Sequence, residues 1–246
     1  MKLTIIGCLG GYPANGKATS CFLLSSHNFN LLIDCGSGAL LALQKVISPL
    51  QLDAVVLTHF HADHIADVGV LQHFWQLAPG DKKVPWLPIY ASNHDIENFN
   101  KLDWPYSTRK QALNFSKPME IGPFTLSFFK TKHPVETYAV RIKETGNQNE
   151  LVYTADTTIV SGLNEFIDGA HTVLTDTNFF ANQKGPRWHL TTTETTDLAN
   201  NTHVKQVILT HIPPFGDLDK LKYEVASKLM PNIKLDVADE GAIYEL

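Results

Sequence analysis

Four residues of metal-ligand type fall within six positions of one another: His59, His61, Asp63 and His64. Imidazole nitrogen and carboxylate oxygen are the donors that zinc and similar divalent ions take. Asp63 and His64 are neighbours in sequence and do not readily aim at the point addressed by the two upstream histidines. The spacing therefore suits two ions, with His59 and His61 on one and Asp63 and His64 on the other. A solvated polar turn capping a helix is the plain alternative, but it does not call for four ligand types in six residues.

The cluster follows the apolar run Ala54-Val55-Val56-Leu57-Thr58. A short apolar run bounded by turn signals reads as a buried strand, and loops at strand ends are where a rigid scaffold holds reactive groups. The same grammar recurs three times. Leu151 to Ala155 is followed by Asp156, Val207 to Thr210 by His211, and Phe124 to Lys132 by His133. A lone histidine after a strand is more often a surface residue. Three such residues together with the cluster make seven potential ligands, more than one tetrahedral ion takes.

The order His-x-His-x-Asp-His, then His133, Asp156 and His211, resembles the metallo-β-lactamase superfamily of binuclear metal hydrolases over nearly the whole chain. Within it the chain looks most like the ribonuclease Z-like branch. Gly7-Cys8-Leu9-Gly10-Gly11-Tyr12-Pro13 is similar to that branch's glycine-rich start, and Leu31-Leu32-Ile33-Asp34-Cys35-Gly36 to its second signature. Thr175-Asp176-Thr177-Asn178-Phe179 stands where the branch has a His-Glu-Ala-Thr segment, and Trp188-His189-Leu190-Thr191 matches its Gly-His-Ser-Thr segment. Two features of the tRNA-processing members are missing. The stretch from Asp156 to His211 lacks their long Gly/Pro-rich arm, and Ser107-Thr108-Arg109-Lys110 is only a faint counterpart of their basic loop.

The resemblance implies roles. His59, His61 and His133 would hold one ion, Asp63, His64 and His211 the other, and Asp156 would bridge them. Two such ions, zinc by donor type with manganese or iron as alternatives, lower the pKa of a water and stabilise a developing oxyanion. Asp63 counts as both ligand and catalytic carboxylate. His189 matches a branch histidine that assists the leaving group in phosphodiester cleavage, and Asp176 would orient it through the other ring nitrogen. The structural alternatives are a capping or surface role for His189 and a strand-end turn role for Asp176. Asp34 reads as structural support beneath the metals. His73, His94, His171 and His203 lack the strand-end setting.

Composition sets looser bounds. The chain has 246 residues, 43% of them apolar, with no linker, low-complexity segment or charge block, which predicts one domain over residues 1–246. The formal net charge of −5 and the lack of a basic run argue against an extended nucleic-acid surface. No run approaches the roughly 20 apolar residues of a membrane span, and the start is apolar too briefly for a signal peptide. Cys8, Cys21 and Cys35 are odd in number, lack metal spacing and read as reduced core residues of a cytoplasmic protein.

Periodicity predicts strands at 2–8, 20–26, 30–34, 54–58, 88–91, 124–132, 136–143, 150–155, 172–176, 206–210, 233–238 and 241–245. Helices are predicted at 38–47, 64–77, 94–101, 158–166, 193–201 and 218–229. The pattern alone gives an α/β or α+β fold; the resemblance makes it a four-layer αββα sandwich of metallo-β-lactamase type. The expected activity is metal-dependent hydrolysis of a small phosphodiester, a cyclic nucleotide or short RNA. The alternatives are thioester or lactone hydrolysis, tRNA 3′-end cleavage, and a non-enzymatic binding or carrier protein on the same fold. The expected partner is the small-molecule or nucleotide substrate, with a homodimer left open.

Overall fold

A computed structural model describes residues Met1–Leu246. In the first half run β1 (Lys2–Gly7), β2 (Cys21–Ser26), β3 (Phe29–Ile33), β4 (Ala54–Val56), β5 (Leu87–Ala91) and β6 (Thr108–Ala112). The second half supplies β7 (Met119–Ile121), β8 (Phe124–Lys130), β9 (Tyr138–Glu144), β10 (Glu150–Tyr153), β11 (Thr172–Asp176), β12 (Gln206–Thr210), β13 (Lys234–Val237) and β14 (Ile243–Glu245). The helices are α1 (Ala39–Leu43), α2 (Ala62–Ile65), α3 (Val68–Leu77), α4 (Ile96–Asn100), α5 (Leu163–Ile167), α6 (Thr192–Asn200) and α7 (Leu218–Ala226).

The strands form two seven-stranded sheets, ordered β14-β1-β2-β3-β4-β5-β6 and β13-β12-β11-β10-β9-β8-β7. Each begins as antiparallel hairpins and turns parallel, at β3–β4 in one sheet and β10–β11 in the other. Side chains alternate across a strand, so a run that is apolar throughout needs both faces covered. In the first sheet Leu3, Ile5, Phe22, Leu24, Leu31, Ile33 and Val56 point into the core between the sheets. Their neighbours Ile6, Cys21, Leu23, Leu32 and Val55 pack on the opposite face against α1 and α3. Phe22 meets Tyr153 of the other sheet edge-on, ring centroids 4.9 Å apart. On the far side α5, α6 and α7 bury Leu163, Ile167, Leu198, Leu221 and Val225. The result is the expected four-layer αββα sandwich. The three cysteines are free and buried, and burial pushes the Cys8 thiol up to about 12, which keeps it protonated.

Three expectations need correction. The helix predicted over 64–77 is two helices, because Asp67 breaks the run and gives its carboxylate to the backbone N–H of Leu40 at 2.9 Å. Helix α5 starts at Leu163 rather than 158, and α1 ends at Leu43. Strands β6 and β7 were not predicted. Both are sheet edges, and β6 (Thr-Arg-Lys-Gln-Ala) carries the charged, mostly exposed residues that protect an edge and erase the apolar signal. The basic stretch Ser107–Lys110 thus leads into an edge strand. Its Thr108 pairs with Leu87 at the start of β5, away from the strand end that approaches the histidine cluster. No helix is long and apolar enough to cross a membrane.

Candidate metal centre

All seven ligand-type residues leave the sheets at one edge. Strands β10, β11 and β12 run parallel, so Asp156, Asp176 and His211 emerge from the same ends. From the facing sheet β4 delivers His59; His61 caps α2, and Asp63 and His64 lie within it. His133 follows β8. The threonines that close these strands tie the ends down. Thr58 donates its N–H to Asp34 at 2.8 Å, Thr131 its hydroxyl to the carbonyl of Asp156 at 2.9 Å, and Thr154 accepts from the N–H of Asp176 at 2.9 Å.

Three residues at these bends hold left-handed backbone without being glycine: Asp34 (φ 57°), Ala155 (φ 49°) and His211 (φ 51°). Such a conformation costs on the order of 1–3 kcal/mol per residue and survives only where the surroundings enforce it. Here it reverses the chain directly before Asp156 and at His211 itself. His211 also needs a bare neighbour. A β-carbon on Gly10 would lie 2.5 Å from its Nδ1.

The seven expected ligands fall into two groups that share Asp156, and a third group of Asp156, Asp176, His189 and His211 adjoins them. His59, His61, His133 and Asp156 form one; Asp63, His64, His211 and Asp156 form the other. Asp156 turns Oδ2 toward the first, 3.6 Å from His59 Nε2 and 3.6 Å from His133 Nε2. It turns Oδ1 toward the second, 3.1 Å from His64 Nε2 and 3.4 Å from His211 Nε2. Around these, His133 Nε2 stands 2.9 Å from His61 Nδ1, and Asp63 Oδ2 stands 3.1 Å from His211 Nε2 and 3.7 Å from His64 Nε2. A tetrahedral ion with ligand bonds of about 2.0–2.1 Å separates its donors by roughly 3.3 Å, so both groups have the spacing such an ion requires.

Chemistry agrees with spacing. His59 Nε2, His64 Nε2 and Asp156 Oδ1 are buried without a hydrogen-bond partner, a costly state that a cation would relieve. Burial, reinforced by His64, drives the pKa of His59 far down and leaves its lone pair free. Burial also lowers His133 to about 4. His64 and His211 behave oppositely. Burial opposes their charge, yet Asp156 with Asp34 raises His64, and Asp156 with Asp176 raises His211 to about 10. Burial opposes the Asp156 carboxylate as well, but His211 and His64 hold its pKa well below the usual range. The Asp63–His211 side of the centre thus favours positive charge on His64 and His211, while His59 and His133 keep free lone pairs.

Two carboxylates behind the ligands set ring orientation. Asp34 Oδ2 lies 2.7 Å from His64 Nδ1, which fixes Nε2 as the nitrogen facing Asp156. Asp176 serves two rings: its Oδ2 is 2.8 Å from His189 Nδ1 and its Oδ1 is 3.4 Å from His211 Nδ1. His189 lies against the centre, its ring stacked on His211 (4.7 Å, 22°) and 5.3 Å from His133. The helix cap beside it is Thr191, which forms a reciprocal capping box with Glu194; His189 has no capping role. Carboxylates that orient ligand histidines are typically worth about 10–100-fold in metal affinity. Asp34→Asn is accordingly expected to weaken zinc binding by about that factor, measured by competition with a chromophoric chelator; unchanged affinity would mean that His64 is oriented by packing alone.

Some functional residues escaped the sequence reading. Gly11 donates its N–H to Asp63 Oδ2 at 2.7 Å, and Asn178 donates its side-chain amide to the carbonyl of His211 at 2.8 Å. Both stand in motif segments, but nothing in the sequence gives Asn178 its partner at His211. Of the remaining histidines, His94 pairs with Glu136 and His203 with Asp168, both on exposed surface.

Comparison with known proteins places these features in company. The family described as Beta-lactamase superfamily domain matches residues 29–212. The probable metallo-hydrolase YhfI of Bacillus subtilis is 40% identical over all of both chains. Its crystal structure superposes with a TM-score of 0.92 at 38% identity, covering 99% of each chain. The short form of human tRNase Z superposes with a TM-score of 0.76 at 15% identity over 100% of this chain and 99% of its own, a likeness of fold.

Proposed function

Given that the chain belongs to the metallo-β-lactamase superfamily, we propose that it is a metal-dependent hydrolase with a two-ion centre and that its substrate is a small phosphodiester, a cyclic nucleotide or short RNA. His59, His61 and His133 would hold one ion, Asp63, His64 and His211 the second, with Asp156 giving one oxygen to each. Zinc suits the nitrogen-rich donor set, with manganese or iron as alternatives. When bound, such a pair supplies Lewis acidity and an activated water.

The chain's own residues account for the rest. The observation that carries the phosphodiester reading is the His189–Asp176 pair at 2.8 Å beside the centre. His189 donates its Nδ1–H to Asp176 Oδ2, so the Nε2–H of the imidazolium remains to pass a proton to a departing oxygen, a role general acids fill for poor leaving groups. Burial opposes the imidazolium, but the Asp176 charge outweighs it and raises the pKa of His189 above the ordinary histidine value. The side chain is 21% exposed, enough to meet a substrate from solvent. Asp63, fixed by Gly11, keeps the His211 side of the centre in place. A thioester releases a thiolate that needs no acid at this position, which is why the pair favours a phosphodiester over a thioester; a lactone also releases an alkoxide, and against it the reading rests on the likeness of Trp188–Thr191 to the ribonuclease Z-like segment. We read the 246 residues as one domain and, on the three buried, unpaired cysteines, as a cytoplasmic one.

The test is a panel assayed with the zinc- and manganese-loaded protein: bis-p-nitrophenyl phosphate, 2′,3′- and 3′,5′-cyclic nucleotides, an acyl thioester and a lactone. Turnover of phosphodiesters above the others is expected. A preference for the thioester or lactone would overturn the phosphodiester assignment and leave the hydrolase assignment standing.

A further inference from the structure

Two large aromatic side chains stand in solvent on the two loops that lead away from the centre: Tyr12 is 52% exposed and Phe215 69%. They come from opposite ends of the chain, yet their ring centroids lie 6.2 Å apart, tilted by 40°. The backbone holds them there. Leu9 and Ile212 form a parallel bridge, the N–H of Gly10 donates to the carbonyl of Ile212 at 2.9 Å, and the N–H of Ile212 donates to Cys8 at 3.0 Å. Pro13, Pro213 and Pro214 restrict the backbone around both aromatics. Each loop is also anchored to the centre. Gly11, adjacent to Tyr12, bonds Asp63, and His211 opens the loop that reaches Phe215.

This pair joins no core cluster, and packing does not explain it. The origin of its loops gives a reason: one leaves from Gly11, which bonds Asp63, and the other from His211. A planar heterocycle presents a face to such rings whatever its hydrogen-bonding edge, which makes stacking an affinity source independent of cationic side chains. That matters in a chain of net charge −5. Resting on the phosphodiester reading, we propose that Tyr12 and Phe215 form a stacking platform for the substrate's nucleobase, so that the substrate is a nucleotide whose base lies on the Asp63–His211 side.

The experiment is calorimetric titration of the zinc-loaded protein with adenosine 5′-monophosphate and with ribose 5-phosphate, which share phosphate and sugar and differ by the base. The nucleotide is expected to bind about 10–100-fold more tightly, the usual worth of one stacked base. In a Tyr12→Ala, Phe215→Ala double variant that ratio should fall to near one, with binding of ribose 5-phosphate unchanged. Tyr106→Ala removes an aromatic residue that is 73% exposed and precedes β6, away from the centre, and should keep the full ratio. Equal binding of the two ligands by the wild type, or a ratio retained in the double variant, overturns the platform. So does a double variant that turns a sedimenting dimer into a monomer, because the rings would then cover a second copy. Binding is read without turnover. A protein that shows the ratio but cleaves no phosphodiester refutes the reaction and keeps the platform, whereas cleavage with a ratio of one does the reverse.

Discussion

Replacing Asp156 with alanine is expected to abolish hydrolysis and to release both metal ions. Each carboxylate oxygen faces a different ligand group, at 3.1–3.6 Å from His64 and His59, so the change removes a donor from both ions and the only charge between them. Since even a residue that merely orients a ligand is worth about 10–100-fold, the loss of activity should exceed a hundredfold. The metal-free variant should remain folded, because His64 and His211 can shed the protons that Asp156 now stabilises. Far-ultraviolet circular dichroism and a thermal melt separate this outcome from misfolding. Wild-type turnover with both metals retained would show that Asp156 is not shared.

Replacing His189 with alanine should divide substrates by their leaving group. On a phosphodiester with an alkoxide or ribose leaving group the rate should fall on the order of 10²–10⁴-fold, the range for a positioned general acid. On bis-p-nitrophenyl phosphate the loss should be far smaller, since nitrophenolate departs without a proton. Zinc content should hold, because the groups around His59 and His64 each have four donors without His189; loss of zinc would instead assign a metal to the third group, Asp156, Asp176, His189 and His211. Asp176→Asn should behave differently. Its second oxygen stands 3.4 Å from His211 Nδ1, so it should show the same leaving-group dependence together with weaker metal retention. Equal losses on both substrates in the His189 variant would remove the general-acid role.

These contrasts mark how far sequence alone could reach. The convergence of the ligand-type residues was legible because burial on both faces of β4, β10 and β12 writes apolar runs into the sequence, and His59, Asp156 and His211 follow those runs. The helix spacing of Val68, Leu71, Gln72 and Trp75 was legible for the opposite reason, since only one face of α3 is buried. What was hidden depends on approach between distant segments. Nothing local marks Asp67 as the break between α2 and α3; its partner is Leu40. Nothing local tells that Asp176 holds His211 as well as His189, or that Asn178 bonds the carbonyl of His211. Gly10 stood out as a glycine, but the reason, a histidine ring occupying the space of its missing side chain, appears only when residues 10 and 211 are brought together. Edge strands β6 and β7 stayed invisible because one is polar and the other only three residues long.

The central claim is a two-ion centre divided by one carboxylate. Its most direct test is anomalous diffraction at the zinc absorption edge from crystals of the zinc-loaded protein. Two peaks per chain are expected, one among His59, His61 and His133 and one among Asp63, His64 and His211, with the Asp156 carboxylate between them. A single peak at full zinc loading, or two peaks neither of which touches Asp156, would contradict it.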